Sequence, residues 1–223
     1  MVVTATRTCV ILPVKAFTQG KTRLRAQLTD QARARLARDM FLGVLHAAQD
    51  CAQLAATYVV TNGADVAELV HRNHAEHRTA VLRDPRADMT LASLMDWAIG
   101  EVSQRGATRA LILMADLPAL ETRDLSELCA ALDEHDGVLV PDRRGQSTNA
   151  LGLRLPFAGQ TAFGEPDSFA RHRAHMAALE LRARVLVNGR IAHDVDIPDD
   201  LLTTPCAPLD ECHGDIADKQ QGW

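Results

Sequence analysis

Short apolar runs recur along the chain, each followed by a stretch whose apolar residues fall at helical spacing. The runs are Cys9 to Val14 (CVILPV), Thr57 to Thr61 (TYVVT), Arg109 to Met114 (RALILM) and Gly137 to Pro141 (GVLVP). They are too short for helices and apolar at consecutive positions, the pattern of strands covered on both faces. Shorter strands are expected at Ala80 to Arg83, Ala150 to Leu155, Arg184 to Val187 and Ile191 to Val195. Between them, Leu36, Met40, Phe41, Val44 and Leu45 share one face of a helix from about Asp30 to Gln49, with Thr29 as its N-cap. Further helices are expected from Ala64 to about His74, over Leu91 to Val102, around Leu125 to Leu132, and from Ser168 to about Leu181. Strands that alternate with helices predict an α/β fold around a mostly parallel sheet.

No repeat, low-complexity block or long linker divides the chain, so residues 1–203 are expected to form one domain. Beyond Thr204 the chain turns polar, with Pro205 and Pro208, and residues 204–223 read as a loosely ordered tail. A formal net charge of −5 argues against a basic nucleic-acid-binding surface. No run approaches the roughly 20 apolar residues of a membrane span. The five cysteines are widely spaced, odd in number and without a C-x-x-C pair, which argues for reduced thiols and against a zinc site. The first residues lack a signal-peptide pattern, and the expected compartment is the cytoplasm.

After the first strand comes LPVKAFTQGKTRL, Leu12 to Leu24, with Gly20-Lys21-Thr22 inside it. A P-loop needs a glycine five positions before Gly20, where its backbone N–H groups close around phosphates. Lys15 stands there instead. The segment therefore suits phosphate binding through side-chain cations, Lys15, Lys21, Arg23 and Arg25, rather than through a backbone nest. Ligands of open α/β sheets bind beyond the carboxyl ends of the strands. Asp84 follows the third strand, Asp116 follows RALILM, and Asp194 and Asp196 lie two apart on a segment expected to be extended. Carboxylates grouped on one rim suit Mg²⁺, which takes one or two of them together with phosphate oxygens. Ser147-Thr148-Asn149 and Gly164 to Ser168 are small polar stretches able to hold an anion. His71, His74 and His77 lack metal-ligand spacing, whereas His172 lies one turn beyond Ser168.

Taken in order from about Cys9 to Leu201, the motifs LPVK…KTRL, ADLP, PDRRGQSTNAL, FGEPDSFARH and DVDIPDDL resemble one family. It comprises the guanylyltransferases of deazaflavin coenzyme biosynthesis, 2-phospho-L-lactate guanylyltransferase and its relatives. The resemblance implies a Rossmann-like three-layer sandwich with a mostly parallel mixed sheet, of the nucleotide-diphospho-sugar transferase kind. It implies transfer of a guanylyl group from GTP to a three-carbon phospho-acid, with release of pyrophosphate. The acid is 2-phospho-L-lactate, phosphoenolpyruvate or 3-phosphoglycerate. By the same resemblance, Asp116, Asp194 and Asp196 hold Mg²⁺, and Thr148, Asn149, Gly164 and Ser168 bind the acid. Lys15, Lys21 and Arg23 contact the GTP phosphates and act with Asp116 in catalysis, while Leu12, Pro13 and Asp84 belong to the nucleotide site. The family's double glycine before Thr-Asn is replaced here by Gln146-Ser147, and an Asn near the start of the helix after the third strand by Ala92. A homodimer is compatible with the sequence, although no apolar stripe demands one. Competing readings are a nucleotidyltransferase for another phosphorylated acceptor and a GTP-binding regulator without chemistry. The L-x-G-G loop of the molybdopterin enzymes is absent.

Overall fold

The computed structural model describes residues 6–73, 78–86 and 88–203. The expectation of a loose tail over residues 204–223 lies outside the described residues, as do His74 and His77. Among the described residues seven strands form one sheet: β1 (Thr8–Pro13), β2 (Leu54–Val60), β3 (Thr79–Leu82), β4 (Arg109–Leu113), β5 (Gly137–Pro141), β6 (Thr148–Arg154) and β7 (Ala183–Val185). Their spatial order is β3-β2-β1-β4-β6-β5-β7, which puts β4 at the centre. Strand β6 runs antiparallel to both its neighbours, β4 and β5, and every other pairing is parallel. The helices are α1 (Asp30–Asp50), α2 (Ala64–Asn73), α3 (Leu91–Gln104), α4 (Thr122–Glu134), α5 (Ser168–Ala178) and the short α6 (Pro198–Thr203).

Alternation along the strands builds two cores. Val10 and Leu12 of β1, with Leu111 and Leu113 of β4, pack against Phe41, Val44 and Leu45 of α1, Val66 of α2 and Leu125 and Leu128 of α4. Cys9, Ile11, Ala110 and Ile112 point the other way, against Met95, Ile99 and Val102 of α3 and Met176 of α5. The sheet is thus the middle of three layers. Each such Leu or Ile contributes roughly 1.5–3 kcal/mol by leaving water. Helix starts are set by their caps. Thr29 Oγ1 accepts from Ala32 N at 3.2 Å, Thr90 Oγ1 from Ser93 N at 3.2 Å, and α4 opens with a reciprocal Glu121–Asp124 capping box.

One expected strand is absent. Ile191 to Val195 is irregular chain, because its backbone groups are drawn to separate elements instead of one ladder. Ala192 N donates to the Asn188 carbonyl at 2.8 Å, the Ala192 carbonyl accepts from Arg143 N at 2.8 Å, and Val195 N reaches the Asp116 carbonyl at 3.3 Å. Asp194 and Asp196 therefore do not share a strand face, and each turns to different partners.

Candidate active site

The segment after β1 forms two 3₁₀ turns, Phe17–Gln19 and Thr22–Leu24, anchored by the buried Phe17 and Leu24. The Phe17 N–H donates to the Asp65 carboxylate at 2.9 Å. The buried Arg33 of α1 pairs with Asp30 and donates to the Gly20 carbonyl at 2.7 Å. Between the turns Lys21 adopts the left-handed conformation, φ 51°, which costs a non-glycine residue roughly 1–2 kcal/mol. Lys21 Nζ donates to Asp116 and, at 3.0 Å, to Asp196. Burial works against the ammonium, but the charges of Asp116 and then Asp196 outweigh it and hold the lysine pKa above its ordinary value. The more exposed Arg23 lies 3.4 Å from Asp196 Oδ2.

Arg23, Asp116 and Asp196 border a cleft of about 560 Å³, while Lys21, held on the two carboxylates, stands outside its lining. Of the residues expected at a site, Arg23, Asp116, Thr148, Asn149, Gly164, Ser168, Asp194 and Asp196 line it together. Gln146 and Ser147 line it too, in the turn before β6. That turn is ordered by Asp142, whose Oδ1 accepts from Gln146 N at 2.7 Å and Ser147 N at 3.0 Å. Thr148 N donates to Ser168 Oγ at 3.2 Å, which seats the start of β6 on the N-terminus of α5. Gly164 has φ +79°, and a Cβ there would lie 3.2 Å from Leu91 Cβ, so neither the backbone nor the space suits a side chain. Ala92 is buried, and its carbonyl accepts from Thr161 Oγ1 at 3.1 Å.

Not every expected residue joins the cleft. Leu12 is fully buried in the core, so only its backbone can face a ligand. Pro13 and Lys15 stand at the end of β1 outside the lining, with Lys15 exposed. Asp84 lies beyond β3 and accepts from Arg86 N at 2.9 Å, a local turn contact. Asn149 has its amide hydrogens engaged on the Ile191 carbonyl at 2.9 Å and on Asp194 Oδ1 at 3.1 Å. It acts as a strut for Asp194.

Two supports escaped the sequence reading. The fully buried Asp200 accepts from Asp196 N at 2.7 Å and Ile197 N at 2.8 Å, and pairs with Arg143 and Arg144. Buried Asp124 binds Arg190 through both oxygens and takes the Asn188 amide at 2.8 Å. Together they fix the two ends of the segment that carries Asp194 and Asp196. The only signals in the sequence are an Asp two residues after Pro198 and an isolated Asn188-Gly-Arg190, and neither names its partner.

Burial, and the charges of Asp116 and Asp196, raise the Asp194 pKa, against the pull of the Asn149 hydrogen bond. Among the described residues no group of three His, Cys, Asp or Glu side chains closes into a cage for an ion. Mg²⁺ does not require one, because it keeps waters or phosphate oxygens beside one or two carboxylates. An oxygen-only donor set on one rim fits such an ion. Among the described residues no helix is long and apolar enough to cross a membrane.

A mixed sheet with this strand order, with Asp116, Asp194 and Asp196 on one side of a cleft and Thr148 and Ser168 on the other, has the nucleotide-diphospho-sugar transferase fold. A Desulfovibrio desulfuricans crystal structure provisionally assigned to those transferases superposes with a TM-score of 0.70 at 20% identity, over 88% of this chain and 85% of that one. The chain belongs to the family described as guanylyl transferase CofC like, whose model matches residues 8–205. A phosphoenolpyruvate guanylyltransferase of Sphaerobacter thermophilus is 35% identical over 195 residues, 87% of this chain and 90% of the relative. A 3-phospho-D-glycerate guanylyltransferase of Phenylobacterium zucineum is 29% identical over 218 residues, 96% and 97% of the two chains. The chain is thus a guanylyltransferase.

Proposed function

We propose that this enzyme joins GTP to a three-carbon phospho-acid, phosphoenolpyruvate, 3-phosphoglycerate or 2-phospho-L-lactate, in biosynthesis of the deazaflavin coenzyme. The observation that carries the reading is the pairing of two unlike rims across one cleft. One is acidic and threaded by Lys21, and the other offers Thr148, Ser168 and the start of α5. A phosphate oxygen of the acid attacks the α-phosphorus of GTP, a new P–O bond forms, and the bond to the β-phosphate oxygen breaks to release pyrophosphate. The attacking phosphate has a second pKa near ~6, so it is largely ionised at neutral pH and needs no general base. The obstacle is repulsion between two polyanions. Lys15, Lys21 and Arg23 serve the triphosphate, with Leu12 and Pro13 offering backbone and Asp84 the far edge of the nucleotide site. Thr148, Asn149, Gly164 and Ser168 serve the acid, and Asn149 also holds Asp194. Asp116, Asp194 and Asp196 would hold Mg²⁺, which when bound would neutralise triphosphate charge and favour departure of pyrophosphate.

The test is pyrophosphate release with GTP and Mg²⁺ and each acid offered separately. Release with one acid establishes the reaction and names the substrate. Protein that binds GTP yet releases nothing with any of the acids would refute this reading and favour another acceptor or a regulator.

A further inference from the structure

His172 is buried, 2% exposed, one turn into α5. Its ring is fixed on three sides. The Ala162 backbone N–H donates to Nε2 at 2.8 Å. Nδ1 lies 2.9 Å from Thr148 Oγ1. Phe163 packs edge-on, with centroids 4.7 Å apart and planes at 60°. A backbone N–H can only donate, so Nε2 must present its lone pair. Burial, helped by the charge of His175, pushes the ring pKa down to about 4 against a hydrogen bond with the Ser168 backbone, and the ring is neutral at physiological pH. A neutral imidazole with a lone pair on Nε2 carries its hydrogen on Nδ1. The Nδ1–H therefore faces Thr148 Oγ1 at 2.9 Å, with the Ser168 carbonyl as a second acceptor, and the threonine hydroxyl cannot donate back to the ring.

The consequence falls on Thr148. Thr148 lines the cleft beside Asn149, Gly164 and Ser168, and its backbone N–H is already engaged on Ser168 Oγ. A hydroxyl has one hydrogen and two lone pairs. With a lone pair taken by His172, the hydrogen is left for an acceptor in the cleft. We propose that His172 is a positioning residue that fixes Thr148 Oγ1 as a donor, so that the acid subsite selects an acceptor-only oxygen, carboxylate or phosphate. The proposal rests on the functional reading above. It also assigns His172 no direct contact with substrate and no proton transfer.

The test separates the two ring nitrogens. In His172→Asn the amide nitrogen replaces the Nδ1 donor, whereas in His172→Gln the side chain reaches the Nε2 position and can keep the Ala162 contact. We expect Gln to raise the KM for the phospho-acid about tenfold, the equivalent of one lost hydrogen bond of ~1.4 kcal/mol. Asn should restore most of it, with the KM for GTP unchanged in both. Thr148→Val should raise the acid KM similarly, and adding His172→Gln to it should bring no further loss. A purely structural histidine would give the opposite order, Gln milder than Asn, or additive losses, and either would overturn the proposal. ¹⁵N NMR of the imidazole in the wild-type chain reads the tautomer without turnover. A hydrogen on Nε2 would also overturn it. If the wild type releases no pyrophosphate with any acid, the functional reading fails, and the tautomer still decides whether Thr148 is held as a donor.

Discussion

Replacing Lys21 by Met removes an ammonium from between two carboxylates while keeping an unbranched side chain one atom shorter. At 3.0 Å from Asp196 the gross attraction is about 5–6 kcal/mol at an effective dielectric constant near 20. Taking the ammonium out of water offsets much of that, since the side chain is only 9% exposed. Asp116 and Asp196 are 27% and 40% exposed, so both can be rehydrated once the lysine is gone. The net loss of stability should then be about 1–3 kcal/mol, less than the 3–5 kcal/mol of breaking a fully buried pair. The same carboxylates are the groups a divalent ion would use, and such an ion must compete with the ammonium for them. With nucleotide absent, Lys21→Met should therefore bind Mn²⁺ about tenfold more tightly than wild type, while its use of GTP falls. Titration calorimetry gives the affinities. Thermal unfolding in chelator, then in Mn²⁺, gives the stabilities, with a larger rise on adding metal in the variant. Equal or weaker Mn²⁺ binding by Lys21→Met would refute the view that lysine and metal contend for one pair of carboxylates.

Asp116→Asn should remove most turnover, a loss of at least about a hundredfold for one electrostatic group, with the unfolding temperature nearly unchanged; activity close to wild type would take Asp116 out of the machinery. Gly164→Ala forces a side chain into φ +79° and against Leu91, so it should cost roughly 1–2 kcal/mol of stability and raise the KM for the acid more than that for GTP. Hydrogen bonds from Arg190 and Asn188 overcome burial and hold the Asp124 pKa below the usual carboxylate value. Its stabilising contribution is therefore full above the unfolded pKa, near ~3.9, and disappears as pH falls through the lower folded value. Unfolding temperatures followed from pH 6 downwards should show Asp124→Asn less stable at pH 6 and the gap narrowing below about pH 4; a constant gap would show that the carboxylate charge is not what matters.

The frame of this fold is legible in the chain because period and burial say the same thing. CVILP and RALIL are apolar on both faces, and they are the strands whose alternate residues enter opposite cores. Thr29 announces α1 by its own chemistry. Legibility fails where a residue's role depends on a distant partner. Lys21 reads as one cation of a charged loop, and only the left-handed bend between two 3₁₀ turns carries it onto Asp116 and Asp196. Asp194 and Asp196 read as an alternating pair, yet the segment is held by Asn149, Asp200 and the Asp124–Arg190 contact instead of a ladder. Asn149 reads as a ligand for the acid, and nothing in the sequence shows that its amide also braces Asp194.

The direction of β6 explains why these fragments meet at all. In a wholly parallel sheet, residues at the start of a strand lie at the opposite end from the ligand rim. Thr148 and Asn149 are the first residues of β6, so parallel pairing would bury them on the wrong side. Because β6 is antiparallel to β4, its first residues lie beside the end of β4, with Met114 N donating to the Asn149 carbonyl at 3.0 Å. Asp116 follows two residues later. One reversed strand thus sets the donor rim against the acidic rim, and it also places the turn at Gln146-Ser147 over the start of α5, where Phe169 N donates to the Gln146 carbonyl at 3.1 Å. His172 lies one turn further along that helix. The proposed acid subsite is therefore built on two regular elements, β6 and α5, joined by the Thr148–Ser168 and Thr148–His172 hydrogen bonds. Groups held in this way lose little freedom when a ligand binds, which favours recognition of a small acid offering few contacts.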